Sequence, residues 1–130
     1  MYTSFKEMPV WVEAMGIAEH IFKLSDVFPR KEDYGLTSQL RRAALSISGN
    51  IAEAFGRKHT KEKINFYYIS RGSATETQSH LEYAHRVGYI SKESLTSIDK
   101  RLQSLIHELN KITITLRHQL NSQSQSQPQP

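Results

Sequence analysis

Leu95, Ile98, Leu102, Leu105, Leu109, Ile112 and Leu116 recur at alternating steps of three and four residues. That spacing lines them along one stripe of a helix, a seam of the coiled-coil kind. Such a stripe has to be covered by other helices, so the rest of the chain must supply partners of similar period. Ser91 stands where its hydroxyl can accept from the free amides of this helix, which should run over about residues 91–120.

Three more segments have the required period. The first spans about residues 9–28: Pro9 suits a first helical position, where its missing N–H would be unpaired anyway. Trp11, Ala14, Met15, Ala18, Ile21, Phe22 and Phe28 make its apolar face, and Pro29 stops it. The second spans about 37–55, with Leu36, Leu40, Ala43, Ala44, Ile47, Ile51, Ala54 and Phe55 on one face, Thr37 or Ser38 as its cap and Gly56 closing it. The third spans about 60–87. Thr60 is its expected cap, and Gly88 stands past its end as the residue that tolerates a left-handed conformation. Its first half is aromatic, with Phe66, Tyr67 and Tyr68, whereas Ser70 to Ser79 is small and polar.

No strand-like alternation interrupts this pattern. The expected architecture is therefore all-α, an antiparallel up-down-up-down four-helix bundle over residues 1–120. Residues 121–130 are almost entirely Ser, Gln and Pro, too polar to offset the entropy of ordering, and are expected to form a disordered tail. Ile106 and Ile114 lie off the main seam of the fourth helix, and Phe66, Tyr67 and Tyr68 span more than one face of the third. Self-association and a wide core stripe both account for this apolar surplus.

The chain has no cysteine, which removes disulfides, thiolate zinc sites and cysteine nucleophiles. Residues 1–9 contain no apolar run, and no stretch approaches a membrane span, so a cytoplasmic protein without membrane contact is expected. Catalytic groupings are missing too. No Ser, His and Asp fall into a nucleophile pattern, and the glycines are too scattered for a phosphate loop. Glu82 and His85 form one Glu-x-x-His pair, but a carboxylate-bridged dimetal site in a bundle needs two. No enzyme activity, metal or cofactor is expected.

Two residues of unusual position remain. Gly49, inside the second helix, costs on the order of 1 kcal/mol relative to alanine, and a close backbone approach or a bend is the expected reason. Glu76, among small residues of the third helix, is either exposed or buried and paired with Arg41 or Arg42.

Charge gives the functional lead. The net charge is +4, and residues 30–63 hold eight basic side chains against four acidic ones. Arg41, Arg42, Arg57, Lys58, Lys61, Lys63, Arg71 and Arg86 can form a stripe that contacts phosphates, with Tyr67 or Tyr68 close enough to stack on a base.

The segment Tyr34 to Arg57, with Arg41-Arg42-Ala43-Ala44 and Ser46-Ile47-Ser48-Gly49-Asn50-Ile51-Ala52-Glu53-Ala54, resembles the four-helix bundle proteins encoded in bacterial 23S ribosomal RNA intervening sequences. Gly72-Ser73 with Glu76, Gly88-Tyr89-Ile90-Ser91, Trp11 and Phe28-Pro29 fit the same pattern, and the resemblance covers about residues 5–118. The family pattern is close to Ser-Ile-Pro-Ser-Asn-Ile-Ala-Glu-Gly. This chain has Ser48 for the proline, Gly49 for the serine and Ala54 for the last glycine, so its second helix should be straighter.

The resemblance implies a bundle that assembles as a homopentamer. It also extends to accessory proteins of diversity-generating retroelements, which bind nucleic acid and a reverse transcriptase through a basic surface. The expected function is thus a non-catalytic oligomer that binds RNA or a ribonucleoprotein. The alternative is a protein-interaction scaffold or accessory subunit, for example for a reverse transcriptase, with only weak nucleic-acid contact.

Overall fold

The computed structural model describes residues 1–126. Four helices, α1 (Pro9–Ser25), α2 (Leu36–Gly56), α3 (Thr60–Arg86) and α4 (Lys92–Ser126), are accompanied by 3-10 turns at Phe5–Glu7 and Arg30–Glu32. Hydrogen bonds between helices give their relative direction. Ser70 donates to the Ile47 carbonyl at 2.8 Å and Ser46 meets Ser73 at 2.9 Å, so numbers rise on α2 as they fall on α3. Arg71 with Asn110 and Gln78 with Asp99 give the same antiparallel sense for α3 and α4. The result is the all-α, up-down-up-down four-helix bundle.

The bundle has two unlike ends. At the Tyr89 end, the connection after α1 meets the turn between α3 and α4: the Phe28 and Tyr89 rings lie 5.3 Å apart, and the Tyr89 hydroxyl donates to Glu32 at 2.8 Å. At the Lys58 end, the short α2–α3 turn lies near the start of α1, where Phe5 packs on Trp11 and Phe55.

α4 contributes the expected seam, with Leu95, Ile98, Leu102, Leu105 and Leu109 buried. Beyond Leu109 the inward position is Thr113, while Ile112 and Leu116 only flank the core and Ile114 is 55% exposed. Unbroken steps of 3.5 drift around a straight helix of 3.6 residues per turn, which rotates the last seam residues sideways. The helix also runs to Ser126, past the expected end near residue 120. An existing helix extends at little cost, and nothing in Asn121–Ser126 breaks one. The last part of the expected tail, residues 127–130, lies outside the described residues.

α1 presents a face rotated from the expected one. Val10, Ala14, Ile17 and Ile21 are buried, Trp11, Met15 and Ala18 form a half-buried flank, and Phe22 is 57% exposed. Two adjacent apolar rows compete on this helix, and side-chain size does not decide which faces inward. α1 also stops at Ser25, whose hydroxyl donates back to the Ile21 carbonyl at 2.7 Å, while Phe28 reaches the core from the following turn.

The inward face of α3 explains its mixed pattern. Ser70 and Thr77 are buried beside Tyr67, Ala74 and Leu81, and their hydroxyls donate to the Ile47 and Ser73 carbonyls. Small side chains with satisfied hydroxyls let α2 and α3 approach closely, and this pair shares the largest helix contact.

Expected caps fare unequally. Ser91 caps α4, accepting from the Ser94 amide at 3.1 Å. Gly88, at φ +88°, ends α3 in a Schellman motif, with Tyr89 N–H donating to Ala84 and Gly88 N–H to His85. α2, however, starts from Gly35, and Glu32 accepts from the Leu36 amide at 3.3 Å. Thr37 is inside the helix, its buried hydroxyl without a partner among the described residues. Thr60 is likewise the first residue of α3, after His59, and no side chain caps that end.

α1 and α4 are joined by one polar clasp. Arg101 donates to Glu13 at 3.0 Å and to His20 Nδ1 at 3.3 Å, lying across Gly16, where a Cβ would sit 3.0 Å from Nη2. Gly49 shows no such approach: a Cβ there would meet nothing within 4 Å, which overturns the expected packing reason. Glu76 is exposed and paired with His80 at 3.2 Å, with no contact to Arg41 or Arg42.

Candidate nucleic-acid interface

The eight cations singled out by sequence do not form one stripe. Arg41, Arg42 and Arg86 lie toward the Tyr89 end, whereas Arg57, Lys58, Lys61 and Lys63 surround the α2–α3 turn at the other. Lys61 and Arg86 are separated by nearly the whole of α3, about 37 Å at ~1.5 Å per residue.

Two of the eight terminate helices. Arg41 donates from Nε to the Ser25 hydroxyl at 2.8 Å and from Nη2 to the Phe22 carbonyl at 3.1 Å, with its guanidinium 4.4 Å from the Phe22 ring centre. It thereby satisfies the last turn of α1, where carbonyls lack intrahelical donors and the helix dipole favours a cation. Asp26, 3.8 Å away, balances its charge. Lys63 does the same for α2, donating to the Ala54 and Phe55 carbonyls at 3.0 and 3.2 Å. Both therefore already serve as caps within the fold. The signal was invisible locally because each cap comes from a different helix.

Of the others, Arg86 pairs with Glu82 at 3.3 Å and Arg57 with Glu53 at 3.2 Å, Arg57 also lying over the Phe66 ring at 4.6 Å. Arg42, Lys58 and Lys61 are exposed and hold no ion pair among the described residues. Lys58 and Lys61 sit in a turn, residues 57–63, with four cations and the single carboxylate of Glu62.

The two aromatic candidates separate. Tyr67 points into the core, so its ring offers no free face to a ligand, and the same burial pushes its phenol pKa up. Tyr68 stays half exposed toward α4. Arg71 lies over its ring at 4.9 Å and is held by Asn110 Oδ1 at 2.9 Å, and Arg117 of α4 lies over the same ring at 5.3 Å. Sequence reasoning missed Arg117. Only the antiparallel register, which sets Asn110 beside Arg71, brings a residue two turns further along α4 within reach of Tyr68.

Among the described residues, no group of three or more His, Asp or Glu side chains could hold a metal, and no helix is long and apolar enough to cross a membrane.

The model of the 23S rRNA-intervening sequence protein family matches residues 6–111, most of the bundle. The chain belongs to this family. A crystal structure of a protein with unknown function from the S23 ribosomal protein family of Bacteroides thetaiotaomicron VPI-5482, at 1.70 Å resolution, superposes with a TM-score of 0.72 and 26% identity. The likeness covers 80% of this chain and 97% of that one. No curated protein matches the chain. The matched residues of the family model include α1, α2 and α3 whole but stop before Arg117.

Proposed function

We propose that this family member is a non-catalytic, cytoplasmic, oligomeric protein that binds nucleic acid, RNA or a ribonucleoprotein, through the Lys58 end of the bundle. One observation carries the reading: Lys58, Lys61 and Arg117 lie toward that end, Arg71 stands near the middle of α3, and none of the four has a carboxylate partner among the described residues. Unneutralised cations beside aromatic rings suit a phosphate backbone, whose binding releases counterions. Arg57 joins them at reduced strength because Glu53 already takes part of its charge.

Fluorescence anisotropy with labelled RNA tests this. Wild type binds at low salt with an affinity that falls steeply as salt rises, and replacing Arg57, Lys58 and Lys61 by Ala lowers affinity and flattens the salt slope by about two to three. No binding at low salt, or binding unchanged in the triple variant, defeats the reading.

Assembly rests on a separate feature. Phe22 and Leu45, each 57% exposed, line a shallow apolar hollow with Met15 and Ala18 between α1 and α2. A second copy of the chain would cover it, and five subunits is the number the family resemblance implies. Light scattering at micromolar concentration should give a multiple of 15.0 kDa; a monomer removes this part. The same hollow favours the alternative, a scaffold for a protein partner. A stoichiometric partner that survives nuclease treatment would select that alternative.

A further inference from the structure

Resting on the nucleic-acid reading, we propose that the α3/α4 groove at Tyr68 grips unpaired nucleotides through Arg71 and Arg117, so that the protein prefers single-stranded to duplex nucleic acid. Four of the eight arginines, Arg41, Arg57, Arg86 and Arg101, are met by carboxylates. Arg71 and Arg117 are not, yet both guanidinium groups lie over one ring, at 4.9 and 5.3 Å from its centre. Two like charges gathered on a neutral ring repel each other, and the ring quadrupole offsets only part of that. An anion between or beside them would relieve the rest.

The groups are also arranged before any ligand arrives. Tyr68 is half-buried, and Asn110 holds Arg71 without neutralising it. A fixed guanidinium costs less to immobilise on binding. Its fork matches a phosphate bidentately, and its plane, backed by the tyrosine, leaves an outer face on which a base can stack. Only unpaired bases offer their faces; a duplex presents its phosphates, sugars and base edges but keeps the faces stacked. An acidic peptide would supply charge but would leave those planar faces unused.

The test uses a labelled short oligouridylate, the same strand annealed to its complement, and a poly-glutamate peptide, each titrated against the full chain at low salt. Wild type is expected to bind the single strand more tightly than the other two. Tyr68→Leu and Arg117→Gln should each weaken single-strand binding about 5- to 30-fold while changing duplex binding less than about 2-fold. Arg117→Gln should also lower the salt slope by about one. Tyr68→Phe, which keeps the ring, should bind as wild type does. Arg117 is exposed, so its variant keeps the fold, and helical content with thermal melting checks the others.

Equal affinity for single strand and duplex, equal affinity for the peptide, or single-strand binding untouched by Tyr68→Leu and Arg117→Gln overturns the proposal. If binding then falls only when Lys58 and Lys61 are replaced, the broader nucleic-acid reading survives and the Tyr68 site does not. If wild type binds none of the probes, both fail together.

Discussion

The two ends of the bundle are built from similar materials and put them to different use. At the Tyr89 end, residues 26–33 carry two cations and three carboxylates, and Glu32 alone ties together the Leu36 amide at the start of α2 and the Tyr89 hydroxyl. Arg41 closes α1 there, balanced by Asp26. At the Lys58 end, residues 57–63 carry four cations and one carboxylate, and only Lys63 is consumed by a cap. A cation's residue type does not reveal its role; the acceptor it meets does. Within these two segments carboxylates outnumber cations at one end and cations outnumber carboxylates at the other, although Arg42 at the Tyr89 end is unpaired as well.

The largest expected effect tests that contrast directly. Reversing Lys58 and Lys61 to Glu should lower RNA affinity by about 100-fold, whereas reversing Arg30 and Lys31, exposed at the other end, should change it less than about 3-fold. Equal losses from both pairs, read by anisotropy, would dissolve the distinction between the ends.

Next come the two caps. Arg41→Met should destabilise the fold by about 2 kcal/mol in urea melts, since it removes charge-assisted bonds to Ser25 and the Phe22 carbonyl. Lys63→Met should cost about 1 kcal/mol. Neither should alter RNA affinity beyond what one surface charge contributes, even though Lys63 stands at the Lys58 end. A large binding loss without destabilisation would return Lys63 to the interface.

Alkaline titration gives a smaller effect. Tyr89 has its pKa raised chiefly by the hydrogen bond to Glu32, and Tyr67 has its own raised by burial. In both cases the folded chain keeps the proton longer than the unfolded chain, whose tyrosines ionise near 10. Stability is therefore full below pH 10 and declines as pH rises beyond it. Tyr67→Phe should flatten that decline in melts run at increasing pH.

Smallest of all, Gly49→Ala should stabilise the monomer by up to about 1 kcal/mol, since the added methyl meets nothing and helix propensity improves. If it instead weakens self-association in light scattering, the open side of α2 is covered in the assembly.

What the sequence made legible was whatever is decided within one helix. The α4 seam, Pro9 at the start of α1, the Ser91 cap and Gly88 at its positive φ follow from local period and backbone geometry. What it hid depends on partners far along the chain. Phe22 looked like core because α1 carries two apolar rows, and only the packing of the other helices around α1 selects Val10 and Ile17 instead. Thr37 and Thr60 looked like caps, but Glu32 serves the first turn of α2, and α3 begins without any. The candidate site divides the same way. The excess charge of residues 57–63 was readable, whereas the caps made by Arg41 and Lys63, and the meeting of Arg117 with Tyr68, exist only once helices have paired.

Gly16 lends the clasp between α1 and α4 its tightness. Its missing side chain is the seat in which the Arg101 guanidinium lies while it spans Glu13 and His20. A methyl at position 16 would stand 3.0 Å from Nη2, so the guanidinium would have to give by a few tenths of an ångström and its reach to Glu13 and His20 would loosen.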